Sequence, residues 1–299
     1  VLSGYVAARQ HQKKYGLWPH GVLAPFQRTV SARRKAVYDT LFAARILNDA
    51  SVLFFNAAGE RAEAAPLQLR APSVIIPHGI DVEPFAQLPA RGAFRKKYLN
   101  NFDGVLLLYL GRLNAKKGLD ILIQALARVR TTFSDVRLAL VGAGDPPEFA
   151  AQVQARIRDA GLQEDIILPG LLMGEQKLAA LADADMFLLA SQQENFSFAM
   201  FEAMAARIPV VISDTLNFAP EVERFRAGRV VSREADAFAR ALCELIPSAE
   251  TRAVMGEAGA QLAARYSWGA IGKQMDRAIE AVVADQPLPR DLVLGQAYL

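Results

Sequence analysis

The chain has 299 residues, of which 52% are hydrophobic and 22% are charged, and its formal net charge is +3. A chain of this length and composition buries a substantial core and has room for about two domains, which excludes a disordered protein. The single cysteine, Cys243, excludes an internal disulfide and indicates a reducing compartment, so we expect a cytoplasmic protein. The longest apolar runs, such as residues 105–110, are far shorter than the ~20 residues that span a bilayer.

The positive charge is concentrated near the start of the sequence. Residues 1–50 contain eight Lys or Arg and two Asp, whereas the remainder carries 26 Lys or Arg and 29 Asp or Glu. One interpretation is an anionic partner, such as the inner face of a membrane or a lipid pyrophosphate. The other is a solvated helix face without a ligand. The basic run lacks interleaved aromatic residues and nucleic-acid motifs, which argues against a nucleic-acid partner.

The predicted elements become regular after residue 104. Before it, residues 72–85 predict a short strand and a turn, and residues 93–104 predict a linker or a small capping helix. Beyond it, strands alternate with helices, which predicts a doubly wound parallel sheet. The predicted strands are VLLLYLG, VRLALVG, DIILPG, MFLLA, PVVIS and RVV. Residues 251–283 predict two amphipathic helices, broken near residues 266–268.

Two glutamates, Glu194 and Glu202, flank the start of a predicted helix between the strands MFLLA and PVVIS. Eight helical positions cover roughly 12 Å, comparable to the span of a nucleotide sugar. Loops at the carboxyl ends of parallel strands bind ligands, carboxylates accept hydrogen bonds from sugar hydroxyls, and free helix N–H groups favour phosphate. The pair therefore predicts a site for a ligand with sugar and phosphate groups. Taken alone, a helix with two glutamates is more often only a solvated face.

A basic loop, GRLNAKKG, follows the first strand of the predicted sheet. Gly111 and Gly118 bracket Arg112, Lys116 and Lys117. Cations at the carboxyl end of a strand bind a diphosphate and stabilise the charge that grows on it as it leaves. The arginine offers a two-pronged contact and the second lysine a point charge. Together with the glutamate pair on the same sheet edge, the loop predicts a two-sided pocket for a nucleotide diphosphate sugar.

The order of these segments is similar to that of a known family. GRLNAKKG, VGAGD, residues 168–211, APEVERFRAGRVV and ARYSW resemble the donor domain of family 4 retaining glycosyltransferases, or glycosyl transferases group 1. The resemblance implies an α/β protein of the GT-B type, with two facing Rossmann-like domains. It implies a partial acceptor-side domain in residues 1–95, a complete doubly wound donor domain in residues 96–285, and a tail in residues 286–299.

The resemblance also implies roles for individual residues. The counterparts of Arg112 and Lys117 hold the donor diphosphate and assist its departure without a metal ion. The counterpart of Glu194 contacts the transferred sugar, and that of Glu202 contacts the ribose hydroxyls. Further positions near the sugar, the phosphates or the base are Gly111, Gly170, Leu171, Asn195, Phe196 and Ser197. His20 is the best match for an acceptor-side histidine near the reacting carbon; the alternative is a loop histidine packed beside its neighbouring proline.

Three positions depart from the family pattern. Ser197 and Arg207 stand where glycine is usual, and His78 stands where asparagine is usual. Serine is small enough to keep the backbone close to a ligand. A left-handed conformation at Arg207 would disfavour arginine by about 1 kcal/mol or more.

The implied activity is transfer of a hexose from a UDP or GDP sugar, with retention of configuration, in surface polysaccharide or lipopolysaccharide synthesis. The implied acceptor is a saccharide or a lipid-linked, in particular polyprenyl-linked, molecule. No cofactor or metal ion is expected. Several βα units that the family has before the region matching residues 15–26 are missing, so we expect an incomplete acceptor domain; the alternative is a donor-binding remnant without catalysis. A dinucleotide-binding oxidoreductase is disfavoured because Pro147 replaces the third glycine of its motif. No nucleophile elbow indicates a serine hydrolase.

Overall fold

A computed structural model describes residues 1–23 and 43–296. The chain divides into two compact units. Unit 1 comprises Val1–Gly79 and Tyr266–Leu299, and unit 2 comprises Ile80–Arg265. Each unit combines parallel strands with helices, which confirms the predicted α/β class.

The first part of unit 1 is a small parallel sheet with helices. Its described strands are β1 (Gly16–Leu17), β2 (Val52–Phe55) and β3 (Ser73–Ile75), and its described helices are α1 (Leu2–Gln10), α2 (Ala44–Asn48) and α3 (Ala58–Ala64). The strands lie in the order β1-β2-β3. Strand β2 lies in the middle and all four of its apolar residues are buried, as expected for a central parallel strand. Strand β3 confirms the short strand predicted within residues 72–85.

Unit 2 is built around a six-stranded parallel sheet. The strands are β4 (Val105–Leu110), β5 (Val136–Val141), β6 (Ile166–Gly170), β7 (Met186–Leu189), β8 (Val210–Ser213) and β9 (Gly228–Val231). The helices are α4 (Glu83–Ala86), α5 (Ala93–Tyr98), α6 (Leu119–Val129), α7 (Phe149–Asp159), α8 (Gly174–Asp183), α9 (Phe198–Ala205), α10 (Ala219–Phe225), α11 (Ala235–Leu245) and α12 (Ala249–Ala264). Every strand predicted after residue 104 is present.

The strand order of this sheet is β6-β5-β4-β7-β8-β9. Counted from the first strand, this is 3-2-1-4-5-6, the order of a Rossmann sheet. The chain first adds strands to one side of β4 and then, after β6, adds β7 and the later strands to its other side. The change of direction between β4 and β7 is a topological switch point, where such sheets bind ligands. The predicted doubly wound sheet is confirmed.

Helix α5 belongs to unit 2 rather than to a linker. The Arg95 side chain is buried and donates to Asp185 Oδ2 at 2.7 Å and to the carbonyl of Gly104 at 2.7 Å. Asp185 Oδ2 also accepts from the Leu106 backbone N–H at 2.8 Å. The predicted capping helix is therefore anchored to the residues that enter β4 and β7, which explains why this unit begins before residue 96.

The helices that follow α12 belong to unit 1. They are α13 (Trp268–Val283) and α14 (Arg290–Leu294), and their separation from α12 confirms the predicted break. Lys14 Nζ donates to the carbonyl of Val282 at 2.7 Å, and Arg61 Nη1 donates to that of Val293 at 2.5 Å. These contacts group the C-terminal segment with the N-terminal one. The functional boundaries at 95/96 and 285/286 differ from this division and stay predictions.

Among the helices of the described residues, none has both the length and the apolar character needed to cross a membrane.

Candidate active site

Apart from Glu202, which lies in helix α9, the predicted donor residues lie at or just after the carboxyl ends of parallel strands in unit 2. The basic loop follows β4, the VGAGD loop follows β5, the loop before α8 follows β6, and the glutamate loop follows β7. Because β6, β5, β4 and β7 are consecutive neighbours in a parallel sheet, these four loops leave the same edge. Fold topology thus assembles segments that are far apart in the sequence.

The basic loop is shaped by a short 3-10 helix and by Gly118. Residues Ala115–Lys117 form the 3-10 helix, and the Asn114 side chain accepts from the Lys116 N–H at 3.1 Å. Gly118 has φ +64°, and a Cβ at this position would lie 2.2 Å from the carbonyl oxygen of Ala190, just after β7. Only glycine permits both the left-handed conformation and this close approach. Gly118 therefore allows the basic loop, including Lys117, to lie against the backbone at the end of β7.

Lys117 and Glu194 form an ion pair across the switch point. Lys117 Nζ lies 2.5 Å from Glu194 Oε1, and the two side chains are 17% and 14% exposed. The Ser191 hydroxyl donates to the same oxygen at 2.6 Å. The structure therefore brings together one residue from each of the two loops that the sequence analysis placed on the same sheet edge. Ser191 was missed by the sequence analysis, because a serine three residues before a glutamate carries no distinctive signal.

Arg112 projects from the same loop and is largely exposed to solvent. Its Nη1 lies 2.6 Å from Asp145 Oδ2, and the arginine side chain is 73% exposed. The Tyr109 hydroxyl donates to the carbonyl of Arg112 at 2.8 Å. Burial, together with the nearby charge of Glu194, raises the pKa of Tyr109 above its ordinary value, so this hydroxyl keeps its proton and remains a donor. Asp145 was not predicted as a partner, since it follows a different strand.

Glu202 lies in α9 and pairs with Lys177 in α8. Lys177 Nζ lies 2.8 Å from Glu202 Oε1, and the side chains are 30% and 20% exposed. The sequence analysis missed Lys177, which is one of several polar residues in an ordinary amphipathic helix. The ion pair shows that the second glutamate does not lie on a fully solvated helix face.

In the loop between β7 and α9, the backbone turns sharply before the helix and the Phe196 side chain is buried. Ser197 precedes α9 with φ 58° and ψ 72°, a left-handed conformation in which glycine is favoured over serine. Phe196 is buried and its ring stacks on Phe201, with centroids 4.4 Å apart. The Phe196 side chain therefore packs in the core, so any ligand contact from this residue must come from its backbone, as the resemblance implied. Asn195 precedes it in the same loop.

Two glycines and two exposed apolar side chains mark the carboxyl ends of β5 and β6. Gly170 has φ +82° and its carbonyl accepts from the Gly142 N–H at 2.9 Å. Leu171 and Met173, immediately beyond, are exposed large apolar residues. Gly111 at the end of β4 has φ +154°, and a Cβ added at Gly142 would lie 1.8 Å from its carbonyl oxygen. Glycine at 142 therefore allows the loops after β4 and β5 to approach each other closely.

His20 belongs to unit 1, whereas the other predicted site residues belong to unit 2. It is exposed, has φ 52° and shares a hydrogen bond with His78, with Nδ1 and Nε2 3.1 Å apart. Both rings are nearly parallel to the indole of Trp18. Burial, together with the charge of His20, lowers the pKa of His78 to about 4. The structure thus gives His20 an aromatic neighbourhood within its own unit, and its catalytic role stays a prediction.

Within residues 1–23 and 43–296, no group of three or more His, Cys, Asp or Glu side chains is placed to hold a metal ion.

The sequence is similar to those of two mycobacterial mannosyltransferases. Phosphatidyl-myo-inositol mannosyltransferase of Mycobacterium leprae is 32% identical over 217 residues, which cover 72% of this chain and 55% of that protein. The GDP-mannose-dependent alpha-(1-6)-phosphatidylinositol monomannoside mannosyltransferase of Mycolicibacterium smegmatis is 30% identical over 244 residues, covering 77% and 62%. The chain therefore spans little more than half the length of these relatives.

Solved structures show the fold. The structure of Anabaena HepE in complex with UDP and glucose has a TM-score of 0.79 at 20% sequence identity, and the match covers 94% of this chain and 75% of that one. At this level of identity the likeness concerns the fold, which is of the GT-B type. The family described as Glycosyl transferases group 1 matches residues 90–262, more than half of the chain. The chain therefore belongs to the glycosyl transferases group 1 family.

Proposed function

We propose that the protein is a glycosyltransferase that binds a nucleoside diphosphate sugar at the carboxyl edge of the unit 2 sheet and transfers its hexose with retention of configuration. The observation that carries this proposal is the contact of Lys117 with Glu194 across the switch point. One cation and one carboxylate, both mostly buried, meet where an open α/β sheet binds its ligand.

In the proposed site, Arg112 and Lys117 hold the diphosphate. Arg112 has five N–H donors in a planar fork, and its exposed side chain can bind phosphate oxygens while one nitrogen contacts Asp145. Lys117 supplies a point charge in a partly desolvated position, where it stabilises growing charge more strongly than it would in water. Glu194 accepts hydrogen bonds from the sugar hydroxyls, and Glu202 accepts them from the ribose.

In the transfer step, the bond between the anomeric carbon and the diphosphate oxygen breaks, and a bond forms from that carbon to an acceptor hydroxyl oxygen on the same face. The hydroxyl proton passes to the departing diphosphate. Backbone groups of Asn195, Phe196 and Ser197 border the sugar and phosphate. Leu171, just after Gly170, offers exposed apolar surface beside the base. His20 is proposed as the acceptor-side residue near the reacting carbon.

The proposed donor and acceptor follow from the names of the relatives. One name specifies phosphatidyl-myo-inositol, and the other specifies GDP-mannose and phosphatidylinositol monomannoside, whereas the structural neighbour HepE was solved with UDP and glucose. GDP-mannose and UDP-glucose are therefore the donors to test first, with a lipid-linked acceptor. Such an acceptor is consistent with peripheral contact of the basic N-terminal segment with the cytoplasmic face of a membrane. Four of its basic residues, Arg28, Arg33, Arg34 and Lys35, lie outside the described residues.

The proposal is tested by incubating the purified chain with each nucleotide sugar and a phosphatidylinositol acceptor in vesicles and measuring product by mass spectrometry. Lys117→Ala and Glu194→Ala should each reduce transfer at least about 100-fold, since each removes one preorganised charged contact. Lys96→Ala and Glu164→Ala, the same changes at exposed positions, are the matched controls. Wild-type turnover in either site variant would contradict the assignment. Donor binding without transfer would favour the alternative, a donor-binding protein without catalysis.

A further inference from the structure

Glu202 is the only charged residue in α9, whose sequence is FAMFEAMA. Its neighbours Phe201 and Ala203 are fully buried, and its own side chain is 20% exposed. A carboxylate in such surroundings is costly unless it is paired or hydrogen-bonded. The partner that the structure supplies is the Lys177 ammonium, at 2.8 Å from Oε1.

Lys177 is itself held between two groups. Besides its contact with Glu202, its Nζ lies 5.7 Å from the centroid of the Phe85 ring, within the range of a cation–π interaction. Phe85 lies in α4 and is buried. A lysine side chain normally has many accessible rotamers, and contacts on two sides reduce that freedom. The ammonium is therefore a fixed point against which the carboxylate is oriented.

In this ion pair the two oxygens of the Glu202 carboxylate have different roles. An ionised carboxylate has two oxygens that each accept hydrogen bonds. Because Lys177 Nζ contacts Oε1, the ion pair restricts rotation of the carboxylate group. The position of Oε2 is thereby restricted as well. A ligand hydroxyl then meets an acceptor whose position is already determined, which lowers the entropy lost on binding.

We propose that Lys177 is a positioning residue for the ribose of the donor nucleotide: it orients Glu202 so that this carboxylate accepts hydrogen bonds from the ribose hydroxyls. The inference rests on the proposed function, because it assumes that a nucleotide binds at this edge. It differs from a role in which the lysine attracts the diphosphate by charge alone. The two roles predict that the affinity for the nucleotide depends differently on the ribose hydroxyl groups.

The experiment measures binding of GDP, UDP and their 2′,3′-dideoxy analogues to the full chain by calorimetry. The variants are Lys177→Met, which keeps the length of the apolar side chain, and Lys177→Arg, which keeps the charge. We expect the preferred diphosphate to bind about tenfold more weakly to Lys177→Met, as for loss of one charge-assisted hydrogen bond. Its dideoxy analogue should bind within about twofold of wild type, since the affected contact is already absent. Lys177→Arg should restore most of the preference for the hydroxylated nucleotide.

Three results would overturn the inference. Equal weakening of both nucleotides in Lys177→Met would assign the lysine to the diphosphate, and unchanged binding of both would give it no role in recognition. Failure of the wild-type chain to bind either diphosphate would refute the proposed function, and the ribose assignment with it. The unfolding midpoint of each variant is measured in the same buffer. Because a folding defect weakens both nucleotides equally, the difference between the ribose and dideoxy forms reports on positioning alone.

Discussion

The ion pair of Lys117 and Glu194 should be energetically coupled in the ligand-free protein. Replacing Lys117 by Met keeps most of the side-chain volume but leaves the Glu194 carboxylate without its cation. Replacing Glu194 by Gln leaves the ammonium without its anion. The double variant removes both charges and leaves a methionine and a glutamine of similar size. These three variants and the wild type form a double-mutant cycle.

The magnitude follows from the burial of the pair. An exposed pair contributes about 0–1 kcal/mol, whereas removing one partner of a fully buried pair costs about 3–5 kcal/mol. The two side chains here are 17% and 14% exposed, which places them between these limits. We expect Lys117→Met to destabilise the protein by about 2 kcal/mol, since the Ser191 hydroxyl still donates to the carboxylate. The double variant should cost less than the sum of the single variants by at least about 1 kcal/mol.

The assay is urea unfolding at pH 7 without nucleotide, followed by far-ultraviolet circular dichroism. Both tryptophans, Trp18 and Trp268, belong to unit 1, so fluorescence does not report on the unit that carries the pair. Arg112→Met is the matched control on the same loop. Its ion pair is 73% and 47% exposed, so its loss should cost less than about 1 kcal/mol. Strictly additive single and double variants would refute the reasoning.

Three further predictions concern the backbone and the histidine pair. Arg207 has φ 58°, the left-handed conformation that the sequence analysis identified as unfavourable for arginine. Arg207→Gly should therefore stabilise the protein by about 0.5–1 kcal/mol, whereas Arg207→Ala should not. Equal thermal unfolding midpoints of the two variants would contradict this prediction. Gly118→Ala should destabilise the protein by at least about 2 kcal/mol, because the new Cβ would clash with the backbone after β7. Gly272 lies in α13 with open space around it, so Gly272→Ala should stabilise the protein by about 0.5–1 kcal/mol. The urea unfolding midpoints of both variants are compared with that of the wild type. The pKa of His78 is lowered to about 4 in the folded protein, so the unfolded chain binds more protons between that value and the ordinary value near 6.5, and folding stability contributed by the neutral ring is lost as the pH falls through this range. His78→Asn should flatten the pH dependence of the melting temperature between about pH 6.5 and 4, and parallel curves would show that another group is responsible.

The sheet of unit 2 was predictable from the sequence because its strands are continuous apolar runs between punctuated helices. Central parallel strands are buried on both faces, so each strand carries its own signal. The edge at which Arg112, Lys117 and Glu194 lie followed from the same pattern, since residues after parallel strands share one edge. Local pattern and fold topology were sufficient to predict these positions.

The partners of these residues were not predictable in the same way. Asp145 and Lys177 contact their partners across 33 and 25 positions of sequence. No local spacing specifies such pairs, which depend on how loops and helices pack once the sheet has formed. The grouping of the C-terminal helices with unit 1 has the same origin, because it depends on side chains such as Lys14 and Arg61 that reach carbonyl groups far along the chain.

Calorimetric titration of the purified chain with UDP, GDP and ADP most directly tests the central claim, that the edge containing Arg112 and Lys117 binds a nucleoside diphosphate. We expect micromolar binding of one diphosphate, weakened at least about tenfold in Arg112→Ala and in Lys117→Ala and unchanged in the exposed control Lys96→Ala. No binding of any diphosphate, or equal binding in all four proteins, would contradict the proposed donor site.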